Sequence, residues 1–190
     1  CSFLGVMHQN GIGVARDDAA AAGFYRKACD ASFWEGCKNL GVMHEGGLGV
    51  ARDPAKAFQL YRKTCDAGYQ YGCAAVGVMY HYGRGVAQSF QKAAELYRKA
   101  CDAGAHLGCS GLAGMYAEGT GLKTAEAKAF ELLSKSCDAG DLTGCTNAGI
   151  LYQGGRGVAK DEARAVELFR KGCDGGDGHG CFSLGAAYDP

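Results

Sequence analysis

The sequence predicts an all-α protein, an α-solenoid winding as a right-handed superhelix of 36-residue helix-turn-helix repeats, each linked by a disulfide. Three observations predict it. Cys1, Cys37, Cys73, Cys109, Cys145 and Cys181 form one cysteine series, Cys29, Cys65, Cys101, Cys137 and Cys173 a second, and both step by 36 residues without an insertion. Each step holds two apolar stretches with helical spacing, and a glycine-bearing break separates them. A fixed period of roughly 20–50 residues marks a stack of repeated units, because one such unit cannot bury its apolar face alone. The repeats run 1–36, 37–72, 73–108, 109–144 and 145–180, with a partial repeat at 181–190. Both ends cut through a repeat without polar capping helices, so the expectation is a single array that forms a segment of a longer chain.

Within the second repeat, Leu40, Met43 and His44 share one face of a first helix, and Ala57, Leu60 and Tyr61 share one face of a second. Both sets follow the i, i+3, i+4 pattern of an amphipathic helix. The break between them reads GGLGVARD. Gly47 and Gly49 supply positive φ, Val50 plugs the core, and Asp53 stands at the N-cap before Pro54 at the first helical position. The second helix closes on YRKTCDAG, with Arg62 and Lys63 in the last turn and Gly68 as the left-handed residue beyond it. The next helix is expected to begin near Tyr71 to Cys73. Small residues at fixed places, including Gly41, Gly77, Gly149, Ala57, Ala93 and Ala129, allow close helix approach.

The cysteine pairs bracket a short helix-helix link, as in CDAGYQYGC from Cys65 to Cys73. Disulfides, buried free thiols and a metal site compete for this pattern. Zinc would call for short Cys-x-x-Cys pairs or histidine partners, and His8, His44, His81, His106 and His179 do not recur beside the pairs. Strict pairing and even spacing favour the bridges Cys29–Cys37, Cys65–Cys73, Cys101–Cys109, Cys137–Cys145 and Cys173–Cys181, hence an oxidising compartment, secreted or periplasmic. Cys1 is left over, its partner by period falling before the first residue; a lipid-modified N-terminal cysteine is the alternative. No metal and no cofactor are expected.

The 20 basic and 20 acidic residues balance to zero net charge, so a protein that neutralises many phosphates or lies on an anionic membrane is disfavoured. An apolar fraction of 47% is too high for a disordered chain. No stretch reaches the ~18 continuous apolar residues of a membrane helix. The opening CSFLGVMHQN has none of the features of a secretion signal.

The pattern LGVMHEGGLGVARDPAKAFQLYRKTCDAG resembles the Sel1-like repeat, a relative of the tetratricopeptide repeat, and the fixed cysteine pairs resemble its secreted, cysteine-rich Hcp-type branch. The resemblance covers essentially the whole chain. It implies a protein-interaction scaffold, and it also brings an alternative, a penicillin- or peptidoglycan-binding protein with weak β-lactamase activity. Departures from the pattern are His8 and His44 at the place of Tyr80, Tyr116, Tyr152 and Tyr188, Ser32 in place of the linker glycine, and Ala125 where Asp53 stands.

Catalytic groups do not emerge. The single Ser-x-x-Lys match, Ser89 to Lys92, falls at an N-cap by alignment with Asp53 and Asp161, and no Ser-Asp-Asn or Lys-Thr-Gly accompanies it. The Gly-x-Gly turns follow no strand, so dinucleotide binding is excluded. The Arg-Lys doublets sit where they complement helix dipoles. Function is therefore sought at positions that vary between repeats. If tetratricopeptide geometry carries over, the first helices line the concave face, where Gln9, Asn10, Glu35, Lys38, Glu45, Tyr71, His81, Tyr82, Ser110, Glu118, Thr146 and Gln153 would be open to a partner. The aromatics Phe33, Trp34, Tyr69, Tyr71, His81 and Tyr82 gather early in the chain, and aromatic side chains are common interface anchors. The expected partner-binding set is Tyr71, His81, Tyr82, Lys38, Glu45 and Trp34, the partner a protein, a peptide or a peptidoglycan fragment.

Overall fold

A computed structural model describes residues 1–188; Asp189 and Pro190 of the partial repeat lie outside the described residues. Among the described residues there are 11 α-helices and no strand: α1 (Ser2–Asn10), α2 (Asp18–Asp30), α3 (Trp34–Gly46), α4 (Pro54–Asp66), α5 (Gln70–Tyr82), α6 (Phe90–Asp102), α7 (His106–Glu118), α8 (Glu126–Asp138), α9 (Leu142–Gly154), α10 (Glu162–Asp174) and α11 (Gly178–Tyr188). Odd-numbered helices are the first of each repeat and even-numbered ones the second. The chain forms two compact units, Cys1–Leu96 and Tyr97–Pro190. In the first, α1 to α4 each pack on the next helix through α5; in the second, α7 to α10 do the same through α11, with α7 and α11 also touching α9. This is α-solenoid packing.

Second helices start on side-chain caps. Asp17, Asp53 and Asp161 accept the backbone N–H of Ala20 at 2.8 Å, Lys56 at 2.9 Å and Arg164 at 3.0 Å. Ala125 provides no such cap to α8, as its identity predicts. First helices α3, α5, α7 and α9 start without a side-chain cap. Their N-termini are held by covalent and steric means instead. Five disulfides, Cys29–Cys37, Cys65–Cys73, Cys101–Cys109, Cys137–Cys145 and Cys173–Cys181, join the end of each second helix to the first turn of the next, with Cα atoms 4.3 to 4.5 Å apart. The glycine before each second cysteine follows from that approach: a Cβ on Gly72 would lie 2.8 Å from the Cys65 nitrogen, and one on Gly108 2.7 Å from the Cys101 nitrogen. Helix α5 begins at Gln70, slightly earlier than the sequence suggests, because the Gly72 N–H already bonds to the Tyr69 carbonyl at 2.9 Å.

The turn inside a repeat works through both of its glycines. Gly47 ends α3 at φ 70°, and Gly49 has φ 63°. A Cβ on Gly49 would also stand 2.1 Å from the Asp18 carbonyl carbon, so the turn of one repeat rests directly on the start of the preceding second helix. The same approach recurs at Gly85 on Pro54 (2.3 Å) and Gly157 on Glu126 (2.2 Å). Ser32 holds φ 60°, the left-handed conformation that its glycine counterparts Gly68, Gly104, Gly140 and Gly176 adopt without a Cβ penalty.

In several repeats a second-helix ring is fitted to a first-helix glycine. In the first unit Ala21, Ala22, Tyr25, Leu40 and Met43 are buried together, with Val50 packed at the edge as expected of a plug. A Cβ on Gly41 would come within 2.4 Å of the Tyr61 ring, and one on Gly149 within 2.7 Å of Phe169. The second unit also buries Ala113, Ala129, Leu133, Ala148 and Leu151 together, with Leu133 and Ala113 at the places of Tyr61 and Gly41.

Candidate binding surface

Five of the six expected partner-binding residues fall into two groups on the first helices. At the N-terminal ends of α3 and α5, Lys38 donates to Glu35 and the Tyr69 hydroxyl donates to the same carboxylate. Burial, then the Glu35 carboxylate, pushes the Tyr69 phenol up to about 12. Tyr71 stands beside Tyr69 with ring centroids 5.9 Å apart and is 45% exposed. At the C-terminal ends, Glu45 accepts the Tyr61 hydroxyl at 3.0 Å and pairs with Arg84 at 3.7 Å. The Arg84 guanidinium lies 4.8 Å from the centroid of Tyr82, which is 59% exposed. His81 is half-buried between Tyr82 (4.6 Å) and Phe90 (5.4 Å).

Trp34 joins neither group. It opens α3, half-buried, with the Lys63 ammonium of α4 6.0 Å from its ring, so it is covered from the second-helix side. Arg84 was not among the expected residues, and Glu35 was expected only as an open position of the first helices. Arg84 occupies a turn position that holds Leu48 and Thr120 in other repeats, and the only sequence signal was its recurrence as Arg156, which reaches back to Glu126 at 2.7 Å and to the Ala117 carbonyl at 3.2 Å.

In the second unit, two residues expected to face a partner are tied to the fold. Thr146 is 1% exposed, its hydroxyl 2.5 Å from Asp177 Oδ2 and 3.2 Å from the Leu142 carbonyl. The Ser110 hydroxyl donates to Asp141 at 3.3 Å, and Asp141 also accepts from Ser136 at 2.7 Å. This first-helix position faces the following link, and a short polar residue there ties one repeat to the next. Glu118 remains exposed on this face.

The remaining motifs resolve into structure. Ser89 Oγ accepts the Lys92 N–H at 3.4 Å, an N-cap, while the Lys92 ammonium lies 5.2 Å from the Tyr80 centroid. His44 is buried where other repeats carry tyrosine, with Nδ1 3.3 Å from the Ala51 carbonyl, and His8 stacks on Phe24 at 5.3 Å. Among the described residues no group of three or more His, Cys, Asp and Glu side chains is placed to hold a metal ion, and no helix is long and apolar enough to cross a membrane. Cys1 is unpaired and exposed.

Fold and surface together define a helical repeat scaffold stapled by disulfides. The Sel1 repeat model matches residues 1–33, 34–69, 70–104, 106–141 and 143–177, and the chain belongs to the Sel1 repeat family. Among solved structures it is similar to a protective antigen of uropathogenic Escherichia coli strains displaying an SLR fold, at 32% identity and TM-score 0.77, over 97% of this chain and 40% of that one. The chain thus spans well under half of that antigen. It is similar to Helicobacter pylori cysteine rich protein B, at 32% identity and TM-score 0.56, over 70% of this chain and 96% of that one. A Sel1 repeat protein from Oxalobacter formigenes shares the fold at 22% identity and TM-score 0.85, over 99% of this chain and 75% of that one. No curated protein sequence matches the chain. Sel1 repeat proteins serve in general as protein-interaction scaffolds, and five disulfides are consistent with an oxidising compartment.

Proposed function

We propose that this protein works outside the cytoplasm, secreted or periplasmic, as a scaffold that binds a protein or peptide through the face built by its first helices. The observation that carries the reading is the exposed pair Tyr71 and Tyr82 on α5, each backed by a charge group that links two repeats. Large aromatics held on a rigid base lose little freedom on binding and bury much area, which is how interface anchors act. Lys38 and Glu45 flank them and would set the orientation of the partner, and His81 supports Tyr82 from the side. A covalently stapled scaffold suits this work because its binding face is ordered before the partner arrives.

The β-lactam and peptidoglycan alternative rests on family resemblance, and the Ser-x-x-Lys match that could have supported it is a helix cap. Nitrocefin turnover or covalent labelling by a fluorescent penicillin would establish it; neither is expected here.

The test places a photo-crosslinking amino acid at Tyr82 and, as control, at the exposed Gln59 of α4, in cells that export the protein. A discrete adduct from position 82 that is absent from position 59, and that disappears with Tyr71→Ala at unchanged melting temperature, is the expected result. Equal adducts from both positions, or loss of folding with Tyr71→Ala, would make the pair part of the structure rather than a binding surface.

A further inference from the structure

The Cys137–Cys145 bridge differs from Cys29–Cys37 in what stands next to it. A cleft of about 530 Å³ in the second unit reaches Cys137, with Asp138, Tyr152, Arg164, Glu167 and Lys171 around it. The Lys171 ammonium donates to the Cys137 carbonyl at 3.2 Å and lies 3.5 Å from Cys137 Sγ. Arg164 is held away by the Tyr152 hydroxyl at 3.1 Å and Asp161 at 3.5 Å, so Lys171 is the cation at the sulfur.

The first unit provides a matched reference. Lys171 lies 34 residues beyond Cys137, on the next second helix, and the residue in that relation to Cys29 is Lys63 of α4. Exposure of the two bridges is nearly the same, 3% and 0% for Cys137 and Cys145 against 2% and 0% for Cys29 and Cys37. Access alone therefore does not separate them. Lys63 lies over Trp34 instead, 6.0 Å from the ring centroid.

We propose that Cys137–Cys145 is the thiol-exchange site of this array, opened by a small thiol acting as its thiolate from within the cleft. The thiolate attacks Cys137 Sγ, the Cys137–Cys145 bond breaks, a mixed disulfide forms on Cys137, and Cys145 leaves as a thiolate that takes a proton from water. Electrons balance, because one disulfide and one thiolate give one disulfide and one thiolate. Negative charge spreads over three sulfurs in that transition state, and the Lys171 ammonium stabilises it. The product is a modified Cys137 and a released tether between α8 and α9, with the other bridges intact.

Reduced glutathione is added to the folded, oxidised protein; samples are quenched in acid, alkylated and mapped by peptide mass. Cys137 and Cys145 are expected to open roughly fivefold faster than Cys29 and Cys37, the ratio carried by one solvent-screened unit charge at this distance. Cys173–Cys181 is left out of the comparison because Cys181 is exposed to any reagent. Lys171→Met should bring the ratio to about one, and Lys171→Arg, which keeps the cation, should restore most of it. Equal opening of the two matched bridges in the unaltered protein, or a ratio that Lys171→Met leaves in place, overturns the proposal.

Discussion

Replacing Gly49 by alanine separates two costs that glycine hides. The residue sits at φ 63°, where any Cβ is strained, and its Cβ would also lie 2.1 Å from the Asp18 carbonyl carbon, 2.2 Å from that oxygen and 2.4 Å from the Ala19 nitrogen. Gly68 carries the first cost without the second: its φ is 86° and nothing lies within 4 Å of a Cβ built on it. Left-handed backbone costs an alanine about 1–2 kcal/mol, and overpacking adds about 1–3 kcal/mol when the obstacle is backbone that cannot swing aside. Gly68→Ala should therefore cost about 1 kcal/mol and Gly49→Ala about 3 kcal/mol, a gap of about 2 kcal/mol. In a chain of this size that gap lowers the melting temperature by about 4–8 °C more for Gly49→Ala than for Gly68→Ala. Thermal unfolding followed by circular dichroism, with the disulfides intact, reads both. Equal losses in the two variants would refute the claim that the turn of one repeat rests on the helix start of the one before it.

Three further outcomes follow from the same structure. Ser32→Gly removes the single positive φ found on a non-glycine residue among those described, and should stabilise by about 1 kcal/mol in urea unfolding. Ala125→Asp should add about 1 kcal/mol by giving α8 the cap that Asp53 gives α4, while Asp53→Ala should lose about as much. The Tyr69 phenol, raised from 10.0 to about 12 by burial and then by Glu35, is neutral in the folded state over a range where the unfolded chain ionises. Its contribution is complete below about 10 and is lost as pH rises through about 12. Denaturant midpoints should fall across that window, and Glu35→Gln should flatten the fall.

Much of the architecture was legible in the sequence because repetition averages out local ambiguity. Eleven cysteines in two registers gave the helix boundaries and the bridges, and the caps at Asp53 and Asp161 were readable because a cap depends on residues three apart. The exceptions were readable for the same reason: Ser32 and Ala125 break the pattern at the two places where the structure shows a strained φ and a missing cap. The surface was less legible. Thr146 reads as a free polar residue of a first helix, yet it is buried against Asp177, 31 positions away. Glu35 and Tyr69 are 34 apart, and Glu45 and Arg84 meet only when two repeats stack. Pairings of this kind are set by which side chains of adjacent repeats come opposite one another, and periodicity gives the spacing of those positions without giving their partners.

The central claim is a covalently stapled scaffold that works in an oxidising compartment, and a thiol count tests it most directly. The protein, taken from its natural source, is alkylated under denaturing conditions without reduction, and its intact mass is measured. The account predicts at most one labelled thiol, at Cys1, because the other ten cysteines are paired. Labelling of all ten of those cysteines would contradict it, placing the chain in a reducing compartment and leaving the helix links without their bridges.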